Sequence, residues 1–518
     1  MSVPHTDPRL LAAFVADLTD AGYTVDGVAE AIGATASAAL GREQPVPALR
    51  ATATDKRPAA VLARLWVLGR AVSAERLDGA LPRAGAAGAA ALGLVAPGNR
   101  VRPLVDLRPY AADDAHWWLA SDLSELATGA PLRTDYVLGV GGASATLARW
   151  TPRRAVTRAL DIGTGCGVQA FHLATHATQV TATDLAPRCL AYAGFNAALN
   201  AAADGPFAGR KLDLRHGDMF EPVAGETFDL VVSNPPFVIT PRRDDVPRYA
   251  YRDGLRSGDE VVSRFVGQVG DLLAPGGVAQ LLGNWEHRSG QDWRERVAGW
   301  LAGTGLDGWV IQREVQDPAE YAETWIRDGG HRPDEGRGAS QERGHGGPYE
   351  SMYGAWLDDF AARGVAAIGF GVITLRRPET GRSAVLQRCE EIRTTLDGGL
   401  GETVAATLAA ASWLADHEDL SGQRLTVSGD VTEERFGMPG AEDPAVILLR
   451  QGGGLGRVVR ADTALAGFVG ACDGELTAGQ IIAALAVLLE EPAEDLAGRL
   501  LPAARDLVAD GLLSPPVD

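Results

Sequence analysis

The chain is 518 residues long, 46% hydrophobic and 22% charged, which excludes an extended low-complexity protein and leaves length for roughly three domains. Its formal net charge of −19 excludes a general attraction to phosphate backbones or anionic lipid, so any contact with nucleic acid has to be local. The four scattered cysteines, Cys166, Cys189, Cys389 and Cys472, exclude a disulfide framework and have no zinc-ligand spacing; with no basic segment leading into an apolar core and no membrane-length apolar run, the expectation is a cytoplasmic chain without a membrane partner.

Residues 1–115 open with helices. LLAAFVADLTDAGYTVDGVAEAIG and AAVLARLWVLGR place apolar residues at helical spacing, VSAERLDGAL starts with a Ser cap, and a Pro-Gly-Asn turn separates two apolar runs in LGLVAPGNRVRPLVDLRPY. Helices followed by a hairpin predict a winged-helix-like N-terminal module. From residue 116 to 380 the pattern changes. AVTRALDIG, QVTATDL, LDLRHGD, FDLVVSN and GGVAQLLGN are strand-like, and helical segments such as GVQAFHLATHA and RCLAYAGFNAALNA separate them. The fold class this implies is α/β, a doubly wound parallel sheet covered on both faces, with GWVIQREV and AAIGFGVITLRR as a late pair at one edge and an insertion at about 315–358 between them. Residues 385–518 mix the strand-like RLTVSG, AVILLRQ and GRVVRA with two amphipathic helices, LTAGQIIAALAVLL and LAGRLLPAARDLVADGLL, the second stopped by Gly511. This is the expected C-terminal module, again winged-helix-like. Such modules serve nucleic acids, protein contacts or structure alone.

Chemistry gathers at the carboxyl ends of the central strands, the edge where open α/β sheets bind ligands. Asp161-Ile162-Gly163-Thr164-Gly165-Cys166-Gly167 follows the first strand and opens the first helix, and its glycines allow a tight turn with backbone amides close to a ligand. That pattern fits a nucleotide site and a plain turn alike. Asp184 ends the next strand, where a carboxylate accepts from ribose hydroxyls or caps the following helix. Asp218 and Met219 follow the third strand in a segment that also reads as a turn. The fourth runs into VVSNPPFVI, Val231 to Ile239. Proline cannot donate to a sheet ladder and drives its predecessor to extended geometry, so Asn234-Pro235-Pro236-Phe237 is a rigid strand terminus, either a mount for chemistry or a stop with Phe237 packed inside.

With these four features in this order, the sequence resembles the class I S-adenosylmethionine-dependent methyltransferases, in the branch with an Asn-Pro-Pro-Phe/Tyr motif, over about half of the chain. The resemblance implies a central Rossmann-like methyltransferase sheet with S-adenosylmethionine as cofactor: Asp161, Gly163, Gly165 and Gly167 around the methionine moiety, Asp184 on the ribose, Asp218 with Met219 beside the adenine. It extends to Tyr251-Arg252-Asp253-Gly254-Leu255. It also covers Gly139 to Ser144, a segment that folds over the cofactor in related enzymes and that reads by itself as a loop and a helix cap. The branch includes release-factor glutamine methyltransferases, adenine-N6 methyltransferases and ribosomal RNA guanine-N2 methyltransferases, all of which methylate a nitrogen conjugated to a planar system. By this resemblance the Asn234 side-chain oxygen and the Pro235 carbonyl accept the two N–H hydrogens and Phe237 stacks on the planar face. Orientation and electrostatics then carry catalysis without a strong base.

The expected activity is methyl transfer to a planar exocyclic amino or amide nitrogen of a macromolecular acceptor, with RNA favoured over protein on account of Phe237 and the two flanking modules. A protein glutamine of release-factor type, a biosynthetic small molecule and a non-catalytic binding protein that kept the fold are the alternatives. Arg242, Arg243, Arg248, Arg252 and Arg256, with Tyr249 and Tyr251 between them, look like a phosphate-binding stripe, but Asp244, Asp245, Asp253, Asp259 and Glu260 face them and a salt-bridged surface is expected. The insertion, with Tyr321, Trp325, Tyr349, Tyr353 and Trp356, is a candidate lid; His331 and His345 lack metal spacing and no metal is expected.

Overall fold

The computed structural model describes residues 3–129, 132–243, 246–254, 256–333, 348–396, 398–440 and 444–516. The chain divides into two compact units: Met1–Ala148 with Arg154–Thr304 and Glu314–Arg377, and Arg149–Arg153 with Gly305–Arg313 and Pro378–Asp518.

In the first unit the N-terminal helices gather round the buried Trp66, which has Phe14 edge-on at 5.6 Å and Tyr23 at 6.0 Å. The Pro58–Leu62 helix and its Ala63–Val67 continuation lead into β1 (Val72–Ser73), then the Ala74–Ala80 and Gly85–Ala91 helices, then the hairpin of β2 (Val95–Ala96) and β3 (Arg100–Pro103). β3 pairs antiparallel with both β1 and β2. Ser73 caps the helix after β1, its hydroxyl accepting from the Arg76 amide at 3.3 Å. A second hairpin, β4 (Asp106–Ala112) and β5 (Ala115–Ser121), carries the chain across the expected boundary at residue 115. The side-chain amides of Asn196 and Asn200, on the Pro187–Ala201 helix, stand in for a partner strand beside β5, each donating to and accepting from the backbone of Ala120 and Trp118 respectively at 2.8–2.9 Å. Those bonds satisfy backbone groups that burial would otherwise leave unpaired.

The strands that follow are β6 (Val156–Ile162), β7 (Ala177–Asp184), β8 (Asp213–His216), β9 (Phe228–Ser233), β10 (Leu273–Arg288), β11 (Asp307–Gln316) and β12 (Val365–Arg376). Within the first unit the order is β12-β10-β9-β6-β7-β8, parallel except for β12, which runs antiparallel to β10. β10 runs past GGVAQLLGN at both ends, taking in residues 273–275 before it, with a register shift against β9 between Leu273 and Val278, and residues 285–288 after it. β6 lies between β7 and β9, so the chain leaves it to one side and later returns on the other. The crevice at such a switch opens beyond the carboxyl ends of the strands. Register sets those ends level, Ile162 standing beside both Thr183 and Ser233. The Pro318–Asp328 and Pro348–Ala362 helices bury Tyr321, Trp356 and Phe360 against Ile368 of β12. The middle of the insertion, residues 334–347 with His345, lies outside the described residues; of the aromatics read as a lid, Tyr321 and Trp356 are buried in this core and Trp325, Tyr349 and Tyr353 pack against it.

The second unit contains β13 (Gln387–Glu391), β14 (Thr426–Val427), β15 (Val431–Phe436), β16 (Val446–Gln451), β17 (Val458–Ala461) and β18 (Leu513–Ser514). β13 runs parallel to β11 residues 308–312, β15-β16-β17 form an antiparallel sheet, and β14 pairs with β18. The two helices read from the sequence are Ala478–Leu489, opened by a Thr477/Gln480 capping box, and Ala493–Ala509, followed by Gly511 at φ +77°. They share a core with Ile447, Phe468 and Leu500. No helix among the described residues is long and apolar enough to cross a membrane.

Candidate active site

A cavity of about 580 Å³ opens at the switch point, within the range that holds a nucleoside-sized ligand. Its floor is the turn after β6. Gly163, Gly165 and Gly167 have φ of +75°, +56° and +94°, values that exclude most other residues. The amides of Gly163 and Thr164 both donate to the Thr183 carbonyl at 2.9 Å, binding the turn to the end of β7. A Cβ on Gly165 would meet nothing within 4 Å, so this residue leaves open space where it lines the cavity. Gly167 caps the Val168–Ala174 helix, and a Cβ there would press on Ala193 and Phe171 at 3.4 Å.

Two acids hold this turn. Asp161 is fully buried; its Oδ2 accepts from Thr164 Oγ1 at 2.6 Å and from the Ala170 amide at 3.1 Å, while Oδ1 has no partner. Burial pushes its carboxyl up to about 7, against the bond from Thr164 and with help from the Asp184 charge. Asp184 lines the cavity, and its Oδ2 accepts from the Gly165 amide at 2.9 Å and its Oδ1 from the Ala186 amide at 2.8 Å. Burial raises its pKa, opposed by those two amides. Asp218 and Met219 form part of the wall, and Met219 sits at φ +46°, a left-handed conformation that costs a non-glycine residue roughly 1–2 kcal/mol. Gly139 and Ser144 line the cavity as well, and the Ser144 carbonyl is held by Gln169 Nε2 at 2.8 Å.

The opposite wall is the end of β9. Ser233 Oγ donates to the Ile162 carbonyl at 2.8 Å, and the next residue, Asn234, lines the cavity with a buried Oδ1 that no group in the structure satisfies. The Pro235 carbonyl accepts from the Phe237 amide at 2.7 Å, a tight turn that uses one of its two lone pairs. Phe237 is half-buried, edge-on to Trp325 at 6.5 Å.

Six of the ten predicted site residues therefore line one cavity: Gly163, Gly165, Asp184, Asp218, Met219 and Asn234. Asp161, Gly167, Pro235 and Phe237 are not among the lining residues. Asp161 and Gly167 shape the turn, and Pro235 and Phe237 continue the loop beyond the wall.

The arginine segment is only in part the salt-bridged surface expected of it: Arg252 pairs with Asp253 at 3.4 Å, but as a buried pair. Arg256 does pair with Glu260, at 3.7 Å, but Arg252 is buried, its guanidinium lying over the rings of Tyr249, Trp325 and Tyr251 at 4.5, 5.7 and 5.8 Å. Its Nη1 donates to the Trp325 carbonyl at 2.5 Å and to Asp328 at 2.7 Å. Asp253, also buried, accepts from Thr240 Oγ1 at 2.6 Å and from the Tyr249 amide at 2.5 Å. Asp259 is buried against Arg296. Asp244, Asp245 and Leu255 lie outside the described residues. Tyr321, which the sequence places only in the insertion, accepts from the Ile239 amide at 2.9 Å and from Asn284 Nδ2 at 2.8 Å and so fixes the chain just past Phe237. No local pattern marks that role, because both partners are remote in sequence. Among the described residues no cluster of His, Cys, Asp and Glu suits a metal ion.

Comparison with known proteins agrees with this site. Residues 139–292 match the family described as Methyltransferase small domain, while residues 20–104 and 405–515 match families described as Domain of unknown function (DUF7059) and Domain of unknown function (DUF7782). The chain is similar to a release factor glutamine methyltransferase of Deinococcus radiodurans, 34% identical over 157 residues that make up 28% of this chain and 52% of the relative. It is similar to a ribosomal protein uL3 glutamine methyltransferase of Xanthomonas campestris, 37% identical over 117 residues, 21% of this chain and 35% of the relative. A ribosomal RNA small subunit methyltransferase C of Alcanivorax borkumensis is 29% identical over 129 residues, 25% of this chain and 33% of the relative. The chain spans about half or less of the length of these relatives.

Proposed function

We propose, for a chain whose residues 139–292 form a class I S-adenosylmethionine-dependent methyltransferase domain of the Asn-Pro-Pro-aromatic type, that it methylates a planar amide or exocyclic amino nitrogen of a macromolecule. The observation that carries this reading is the unsatisfied Oδ1 of Asn234 in the cavity wall. A buried acceptor without a donor costs about 1–3 kcal/mol, and an incoming N–H removes that cost.

The residues present fit the cofactor: an open glycine turn, an acid at the end of β7, and a wall formed by Asp218 and Met219. Asp184 would hold the ribose hydroxyls through the lone pairs left free by Gly165 and Ala186, Gly163 and Gly165 would border the methionine moiety, and Asp218 with Met219 would flank the adenine. S-adenosylmethionine supplies, when bound, an electrophilic methyl group on a sulfonium. The chain's own work is orientation. Asn234 Oδ1 accepts one N–H of the acceptor nitrogen, the Pro235 carbonyl accepts the second through its remaining lone pair, and Phe237 borders the planar face. Both hydrogen bonds draw electron density back onto a nitrogen whose lone pair is delocalised, and both are held in place beforehand by the two prolines.

For the acceptor, a glutamine side-chain amide is the first reading, supported by the glutamine methyltransferases among the relatives and by the net charge of −19. The exocyclic amine of an RNA base, which the sequence favours, is supported by the ribosomal RNA methyltransferase and by the winged-helix-like order of helix, strand, two helices and hairpin around β1–β3. The test is incubation of the full chain with methyl-labelled cofactor and fractionated RNA and protein. Label that survives nuclease and is released by protease supports glutamine, the reverse supports an RNA base, and a chain that binds cofactor but labels neither fraction overturns the macromolecular acceptor.

A further inference from the structure

Charge in the N-terminal region is segregated along the chain. Residues 50–102 carry nine basic side chains, eight of them arginine, against three acidic ones, a net charge of +6 in a chain of −19; the remaining acids of this region fall before residue 50 and after residue 102. Arg57 is bound to Asp55, and Arg83 to Asp17 and Asp20. Arg64, Arg70, Arg76, Arg100 and Arg102 form no ion pair among the described residues.

Four of these five converge on β1. The Arg70 amide donates to the Arg64 carbonyl at 3.0 Å two residues before the strand begins, and Ser73 stands opposite Arg100 in the register of β1 with β3 while capping the helical turn that bears Arg76. On β3, Arg100 and Arg102 are exposed and alternate with buried Val101 and Pro103. Arg64 Nη1 donates to the Leu49 carbonyl at 3.0 Å and to Thr52 Oγ1 at 3.2 Å, and Arg76 Nη1 to the Ala53 carbonyl at 3.3 Å. Neutral oxygens fix these two guanidiniums and leave their charge uncompensated. Asp55, whose carboxylate feels Arg76, is itself gripped by Arg57 at 2.7 and 3.0 Å. Burial, and then the like charges of Arg76, Arg70 and Arg100, hold Arg64 below its ordinary pKa.

The helix that follows in this region, Gly85–Ala91, reads GAAGAAA and offers no side chain to hydrogen-bond a base edge. What the region presents is a set of planar, multiply donating cations suited to phosphate oxygens, and the Ala74–Ala80 helix adds to Arg76 only the acidic Glu75 and Asp78. Double-stranded RNA is recognised in this way, through its shape and backbone, because its deep major groove is closed to side chains.

We propose that Arg64, Arg70, Arg76, Arg100 and Arg102 form a docking site for the phosphate backbone of structured RNA. The site does not depend on which nitrogen receives the methyl group, and its test needs no cofactor. Fluorescence anisotropy of the full chain with a labelled RNA hairpin, over a range of salt, gives a log-log slope of about −3.5 to −4.5 if these five cations neutralise phosphates. The triple variant R70E/R100E/R102E changes only exposed side chains. It loses affinity tenfold or more and flattens the slope, while its thermal midpoint and its affinity for S-adenosylmethionine match the parent. Equal affinity of variant and parent overturns the proposal, as does a DNA duplex of the same length bound as tightly as the RNA. A chain that binds S-adenosylmethionine but no RNA refutes the docking site alone and leaves the methyltransferase reading intact.

Discussion

Asp184 already accepts two backbone amides, and its remaining lone pairs are the ones that the proposed reading assigns to the cofactor. Asp184→Ala removes the ribose acceptors and also frees Gly165, so cofactor affinity measured by calorimetry falls by about 1.5–3 kcal/mol in a folded protein. Asn234→Ala acts on the other partner. If Asn234 serves the acceptor nitrogen as proposed, the change leaves cofactor affinity nearly intact and lowers turnover by about a hundredfold or more; turnover within a few-fold of the parent sinks the assignment. Asp161 makes a prediction in pH. Its carboxyl titrates at about 7 in the fold and near 3.8 unfolded, so the folded state prefers it protonated and the chain loses stability as pH rises from about 4 to about 7, with no further loss above that. Asp161→Asn has no proton to lose there. The parent's stability relative to the variant should therefore fall with rising pH, by up to about 1.4 kcal/mol per pH unit within that window, as followed by thermal midpoints. A pH-independent difference between the two proteins contradicts it.

At the scale of elements, the Pro318–Asp328 helix acts as a clamp on the Asn-Pro-Pro-Phe loop. Tyr321 holds the Ile239 amide, and Arg252 reaches from the same loop region to the Trp325 carbonyl and Asp328. Tyr321→Phe strands two buried donors, Ile239 N and Asn284 Nδ2, and costs about 1–3 kcal/mol of stability. Since the clamp bears on the acceptor side, turnover falls while cofactor affinity holds; an equal loss in both shows that the helix supports the cofactor cradle instead. Little of this clamp is legible in the sequence, although the strands it serves are. β6 and β9 are apolar runs bounded by glycine or proline and β7 is rich in β-branched residues, patterns that a sequence shows directly; the acids and the Asn at their ends follow from knowing that those ends share one edge. Tyr321 and Arg252 owe their roles to contacts made across the fold, and a buried arginine surrounded by three rings has the same local pattern as an exposed one next to tyrosines. β15 is illegible for another reason: VTEERF has one apolar residue at each end and four polar ones between, with no alternation to read.

Over the whole molecule, the net charge of −19 hides a segment of +6, and an average cannot describe what a surface patch attracts. A count over the full chain argues against nucleic acid, whereas the same count over residues 50–102 argues for it. The cofactor cradle and the acceptor loop also differ in how far along the chain their ties reach. The bond from Gly165 to Asp184 closes over 19 residues, whereas the loop waits for partners 73 to 82 positions downstream. Ribosomes add roughly 5–20 residues per second, so in a growing chain Gly165 waits about 1 to 4 seconds for Asp184, whereas the loop waits about 4 to 16 seconds for Tyr321, Trp325 and Asp328. Biosynthesis thus imposes an order on the two sides of the proposed site: the tie that holds the glycine turn becomes available before the residues that fix the loop exist.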